Sequence, residues 1–414
     1  MAPATDIKSG SAVVKLFYFL TSLGHESVMV FFVISGYLVG GLTMIKFNKR
    51  GFDLLDFTIH RTSRIYTVLV PALVIGGALD WIGLSFFNQS QLYTAAAQYH
   101  TSSMDFSIQG NLNFPTLLAN LANLETMISQ RLGSNSPLWS LVFEWWYYAL
   151  FAAVMTLAVK KGPRTRVIAG AALVVMLLAL PHVLVIWGVM WLVGVAAAIY
   201  GQTRGWKPPV WLALAALAAA VVVSRLGGHN DAATPGFGPA AFARDLGVSI
   251  AFASLLLSFH HGLRPIPFAQ TQDRLAGFSY TLYLTHFPAM VFIVAALNAL
   301  FGVGFVQPFG AASLGYMAGV IALVVGYAWL LSRLTEAHTP KIRAALTALA
   351  KGRWVGHGRA QPGSQPPQRI SDAIAASAAS LPDLAPPPLA PGTAAAPAPS
   401  PAPSPSAAKV RDSQ

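Results

Sequence analysis

Long apolar blocks, each about as long as a bilayer is thick, constrain this chain more than any other feature. Nine segments qualify, near 27–45, 65–87, 137–159, 167–182, 183–200, 208–224, 245–260, 277–300 and 312–332. Roughly 20 apolar residues cross a hydrocarbon core as a helix. Charged residues make up 10% of the 414 residues, against about 25% in soluble domains. Inside a bilayer, helices satisfy every backbone polar group within one segment. The expected fold class is therefore all-α, a polytopic transmembrane helix bundle of nine spans. Between 167–182 and 183–200 stands only Pro181-His182, which predicts a tight hairpin.

The net charge of +12 raises the question of nucleic acid, and the placement of the bases answers it. They gather in short runs between apolar blocks, as in KFNKR (46–50) and KKGPRTR (160–166). That is the pattern of cytoplasmic loops in a membrane protein, not of a nucleic-acid surface. Base-rich loops alternate with base-poor ones along the chain. The 46–64 loop and the C-terminal tail are therefore expected in the cytoplasm, with the long 88–136 loop and the N-terminus outside.

The domain reading is an external segment over 1–26, a membrane domain over 27–335 and a cytoplasmic tail over 336–414. Within the first segment, AVVKLFYFLTSLG (12–24) is too short to span and is expected as an interfacial helix. From about 355 the tail turns to Pro, Ala and Ser, too poor in apolar bulk to pack, and is expected to be disordered. The first apolar run is followed by KFNKR rather than a cleavage site, so it does not read as a signal peptide. With no cysteine, disulfides, thiol catalysis, thiolate zinc and iron–sulfur clusters are excluded. No metal site is expected either, because no HExxH or equivalent appears. His260 and His261, in a basic loop, read as ordinary interfacial residues.

An ionisable residue within a span is costly unless paired or facing water, so each is a functional candidate. Glu144 lies in SPLWSLVFEWWYYALF (136–151), roughly 10 Å inside its span. Arg61 and Arg64, in HRTSR (60–64), share one helix face just before the second predicted span. Two guanidinium groups there suit bidentate binding of phosphates. His25 and Glu26 precede SVMVFFVISGYLVGG (27–41) at the outer interface, and His286 sits inside GFSYTLYLTHFP (277–288). Gly36, Gly40 and Gly41 give the small-residue spacing of close helix packing. Ser35 stands in no GxSxG elbow, so it is not expected to be a nucleophile.

Four motifs in order resemble those of the acyltransferase family 3 membrane proteins, which acylate surface polysaccharides and related glycans. They are VMVFFVISGYLVGG (28–41), the RxxRI of residues 61–65, SPLWSLVFEWWYY (136–148) and FSYTLYLTHFP (278–288). The resemblance implies a bundle of ten helices with both termini cytoplasmic. It also implies transfer of an acyl group, usually acetyl and sometimes succinyl, from acyl-CoA to a sugar hydroxyl. Acyl-CoA would be a co-substrate, with no tightly bound cofactor. Arg61 and Arg64 match the family's RxxR, linked to the acyl donor, and Glu144 matches the Glu of its WSL-x-x-E-type motif. Ser35, Trp139, Tyr283 and His286 lie within the matching motifs and are candidate substrate-binding residues.

One departure accompanies the match. The family's catalytic His ends an Arg/Lys-x10-His motif in a first helix upstream of the FFxxSG segment. Here Val14 stands where His25 would need the base, and Lys15 is one residue too close. Together with nine spans and an external N-terminus, this reads as a chain lacking the family's first helix. His25 is then the candidate general base on the outer side, with Glu26 or Glu144 as its orienting carboxylate. The expected partners are the lipid bilayer, acyl-CoA and a glycan or glycolipid acceptor, without nucleic acid. The expected location is the bacterial inner membrane, with the C-terminus cytoplasmic. Two other readings share these features: an exporter of a lipid-linked sugar, and an inactive scaffold whose Pro-rich tail recruits a partner. Against the first, the chain shows no internal pseudo-symmetry.

Overall fold

The computed structural model describes residues 10–95, 106–159, 162–202, 205, 207–227, 238–259, 269–305 and 307–352. These lie in the first of two compact units, Met1–Pro367; the second, Gln368–Gln414, falls outside the described residues. So do His260, His261 and the Pro/Ala-rich tail from 353 onward.

The described residues form an all-helical bundle. Its helices are α1 (Ala12–Thr21), α2 (Gly24–Ser35), α3 (Leu42–Arg50), α4 (Leu54–Phe86), α5 (Phe114–Leu121), α6 (Trp139–Ala158) and α7 (Pro163–Ala179). After them come α8 (His182–Gly201), α9 (Val210–Leu226), α10 (Pro239–Ser258), α11 (Ala269–Phe301), α12 (Ala311–Leu334) and α13 (Thr339–Ala350). A π-helical turn, Gly36–Gly41, joins α2 to α3.

Every one of the nine apolar blocks contains a helix, and seven helical segments are long and apolar enough to cross a membrane. The expected count of nine is reduced by α7 and α9, at 17 residues each. Such a helix rises about 26 Å, the short limit for a hydrocarbon core of about 30 Å. Large apolar side chains cover the outside of the bundle, among them Leu178, Trp211, Val223, Leu330 and Leu334. An exposed apolar surface this extensive is that of a protein solvated by lipid. The chain is a multi-pass membrane protein. Only Leu180 and Pro181 separate α7 from α8, but the tight hairpin expected there does not form: α7 packs on α6, while α8 packs on α2 and the π turn.

The centre of the bundle is a glycine seam between the α2–π turn and α8. A Cβ on Gly36 would lie 1.9 Å from the Trp191 carbonyl oxygen, and one on Gly194 would lie 2.1 Å from that of Val33. Backbones approach this closely where a glycine on one helix meets the main chain of the other, the small-residue packing of membrane helices. The π turn begins at Gly36, directly after Ser35. Such turns inside α-helices concentrate at functional positions.

One element departs from the sequence reading. The 88–136 connection was expected as an external loop, yet much of it packs along α4. At one end Ser134 donates to Asp80 from both its backbone N–H and its hydroxyl, each at 2.7 Å. At the other, the Tyr66 hydroxyl donates to the Leu121 carbonyl and accepts from Asn123 Nδ2. Tyr66 and Asp80 are fourteen residues apart on α4, roughly 21 Å along the axis. The connection therefore re-enters the bundle. Asp80 is fully buried and was passed over in the sequence, although it is an acid inside an apolar block.

Candidate active site

Glu144 projects from α6 toward the start of the π turn. The Ser35 hydroxyl donates to its Oε1 at 2.7 Å, and the Tyr148 hydroxyl donates to the same oxygen. Trp191 Nε1, on α8, donates to Ser35 Oγ at 3.2 Å. Three helices thus converge on one carboxylate that is 6% exposed. An ionised carboxylate in such a place requires hydrogen-bond donors and opposite charge. The donors are Ser35 and Tyr148, and the charge comes from Arg61 and Arg64, both near enough to act on Glu144.

The arginines lie within α4, whose helix starts ahead of the predicted span. The sequence placed them ahead of the second span, at its mouth. In the structure α4 begins at Leu54, capped by the Asp53 carboxylate accepting from the N–H groups of Leu55 and Asp56. Arg61 and Arg64 are therefore inside a continuous helix. The Arg61 guanidinium lies over the rings of Phe57 and Tyr148, at 5.6 and 5.7 Å. Arg64 lies over Tyr280, at 5.7 Å. Its charge also acts on Glu336, which accepts from the backbone N–H and hydroxyl of Thr281. Aromatic faces hold guanidinium planes in place without consuming their N–H donors. Arg61 Nε is buried and has no hydrogen-bond partner among the described residues.

At the other end of α2, His25 Nε2 bonds to Asp245 Oδ1 of α10 at 2.7 Å. The carboxylate on the His25 ring is thus Asp245, not Glu26 or Glu144 as expected. Glu26 accepts from Ser224 on α9 at 3.0 Å, and Glu144 is engaged by Ser35 and Tyr148. Ten residues separate His25 from Ser35, about 15 Å along the helix. The site therefore has two centres: an arginine–glutamate cluster at depth and a histidine–aspartate pair at the end predicted to face outside.

Trp139 and Tyr283 pack against Phe32 and Phe31 of α2, between the two centres, and His286 lies next to Tyr283. Trp139 packs against Trp187, whose ring in turn meets the edge of His25, with ring centres 5.3 and 5.8 Å apart. Tyr283 stacks on Phe31 and donates to the Pro137 carbonyl at 3.0 Å. Its hydroxyl also bonds to that of Ser140. His286 Nδ1 donates to the carbonyl of Tyr283 at 2.8 Å, which leaves Nε2 as the lone-pair nitrogen of the neutral ring. Sequence reasoning missed Asp245, Tyr148 and Trp191. The signal for Asp245 was available, an acid at the very edge of an apolar block.

A family model described as an acyltransferase domain matches residues 3–333. No curated protein and no solved structure matches the chain. The family match spans well over half of the 414 residues and contains all four motifs, the arginine–glutamate cluster and the His25–Asp245 pair; the chain belongs to acyltransferase family 3.

Proposed function

We propose that this membrane acyltransferase moves an acyl group, most simply acetyl, from acyl-CoA to a hydroxyl of a surface polysaccharide, glycolipid or related glycan in the bacterial inner membrane. The observation that carries the donor assignment is the arginine pair beside Glu144: Arg64 is exposed, and Nε of the half-buried Arg61 is enclosed with no hydrogen-bond partner among the described residues. A buried N–H of this kind suits an anionic ligand such as the phosphates of coenzyme A.

In the reaction the acceptor hydroxyl oxygen attacks the thioester carbonyl carbon. The base is His25, which takes the hydroxyl proton as the new C–O bond forms. The C–S bond then breaks, and the departing sulfur takes that proton from the imidazolium. The products are an O-acyl ester and free CoA thiol. An imidazole suits this cycle because its ordinary pKa, about 6.5, lies near working pH. Asp245, at 2.7 Å, is the positioning residue: it holds Nε2–H, so that Nδ1 carries the lone pair.

The test is release of CoA from acetyl-CoA by the full chain in vesicles, with and without acceptor. His25→Gln is expected to reduce turnover at least about a hundredfold, the usual weight of a general base. Asp245→Asn should lower kcat and displace the pH profile while leaving KM for acetyl-CoA in place. Full activity in His25→Gln removes that assignment. Absence of any consumption of acetyl-CoA or succinyl-CoA by the unaltered chain removes the transferase reading and favours an exporter.

A further inference from the structure

At the end of the bundle that carries Arg61 and Arg64, the lipid-facing surface does not stop with α12. Leu330 and Leu334 are exposed, the latter to 73%. Arg333 closes that surface, its guanidinium 5.0 Å from the centre of the Trp329 ring. Tryptophan and arginine together mark the headgroup level of a membrane helix. A short turn, Glu336–His338, then leads into α13. Thr339, Arg343, Leu346 and Thr347 lie on the less exposed face of α13, which packs along α4. Ile342, Ala345 and Leu349 recur at helical spacing on another face and are exposed, Leu349 to 63%. An amphipathic helix with such a stripe, at the end of a span, lies in the membrane interface with its apolar side among the acyl chains.

The charge around this stripe is one-sided. Between Trp329 and Gly352 the chain has four bases, Arg333, Lys341, Arg343 and Lys351, and one acid, Glu336. Glu336 is engaged by Thr281 of α11, and none of the four bases makes an ion pair among the described residues. Lys341 and Lys351 are exposed near the two ends of the stripe. A zwitterionic headgroup brings its own cation to such a surface, whereas a headgroup with net negative charge complements it. Phosphate oxygens also accept charge-assisted hydrogen bonds from lysine and arginine.

The geometry points to a docking surface for anionic phospholipid, with phosphates at Arg333, Lys341 and Lys351 and acyl chains along Leu334, Ile342 and Leu349. Lipid held there braces α4, the helix that carries Arg61 and Arg64, because α13 packs on it. The binding itself is independent of acyl transfer, and its test contains no acyl-CoA.

The chain has no cysteine, so a single introduced thiol places a single probe. The full chain carrying Ala345→Cys, labelled with bimane, is reconstituted in phosphatidylcholine vesicles containing phosphatidylglycerol. A small fraction of one lipid or the other carries a nitroxide high on its acyl chain, and quenching of the bimane reads which lipid lies beside it. Nitroxide phosphatidylglycerol should quench several-fold more than nitroxide phosphatidylcholine at the same mole fraction. Leu178→Cys, 82% exposed near the end of α7, should be quenched equally by both. Lys341→Gln combined with Lys351→Gln should bring the ratio at Ala345→Cys down toward one, and Lys341→Arg with Lys351→Arg should keep it. Equal quenching by the two lipids at Ala345→Cys overturns the site, and so does a preference that survives the glutamine pair. The same preference at Leu178→Cys overturns it in favour of a general attraction of a basic chain. Quenching by neither lipid shows α13 clear of the acyl chains, and loss of the preference on adding glycerol phosphate gives the cations to a soluble anion. Either result removes the lipid site.

Discussion

At the scale of single residues, a sequence announces a burden without naming its partner. Glu144 was legible because an acid among apolar neighbours must be compensated. That Ser35, 109 positions away, supplies one donor was not legible. The same limit explains His25, whose carboxylate lies 220 positions on, in Asp245. Sequence proximity favoured Glu26, but α2 turns it toward Ser224. The arginine pair shows what this scale predicts. Arg61 is held by two aromatic faces while offering a fork of donors, and lysine reproduces neither property. Arg61→Lys is therefore expected to raise KM for acetyl-CoA by about tenfold, or about 1.4 kcal/mol of binding. The change in kcat should be much smaller. Steady-state kinetics at saturating acceptor decide this, and an unchanged KM would show that Arg61 does not hold the donor.

At the scale of elements, helix positions were legible and helix ends were not. The predicted start of the second span, at 65, trails the true start of α4 by eleven residues. Residues 54–64 are polar enough to look like loop, yet the Asp53 cap and the packing of Phe57 and Ile59 make them helix. Helix α11 shows how an interior break is repaired. Pro288 has no N–H for the Leu284 carbonyl one turn earlier. Asn135, from the segment before α6, donates Nδ2 to that carbonyl at 2.9 Å. Removing it leaves a buried acceptor bare, so Asn135→Ala should destabilise by about 1–3 kcal/mol. In that background Pro288→Ala restores an N–H to the same carbonyl and should recover part of the loss. Thermal unfolding of both single variants and the double variant tests the coupling. Simple additivity would mean that Asn135 does not compensate for the proline.

At the scale of the whole molecule, the helical membrane domain followed from the apolar blocks, and the re-entrant connection did not. Its anchors are isolated polar side chains, Asp80, Asn123 and Asn135, and no periodicity marks them. Within it Glu125 is 3% exposed, with Oε2 lacking a hydrogen-bond partner among the described residues. Burial pushes its carboxyl up from 4.5 to about 8, partly opposed by the charge of Arg131. Between those two values the folded chain keeps a proton that the unfolded chain releases. Unfolding then gains from each rise in pH, so the stabilisation present below 4.5 is lost progressively until about 8. The unfolding midpoint in vesicles should accordingly fall between about pH 5 and about pH 9. Glu125→Gln keeps the shape of the neutral acid and cannot ionise, so it should flatten that decline and exceed the unaltered chain at the alkaline end. If the two chains instead lose stability in parallel, the pH dependence arises elsewhere and Glu125 is already ionised in the fold. A flattened curve would identify the connection as part of the cooperative unit, since a segment resting loosely on the helices could not pass the ionisation of one side chain to the unfolding of the bundle.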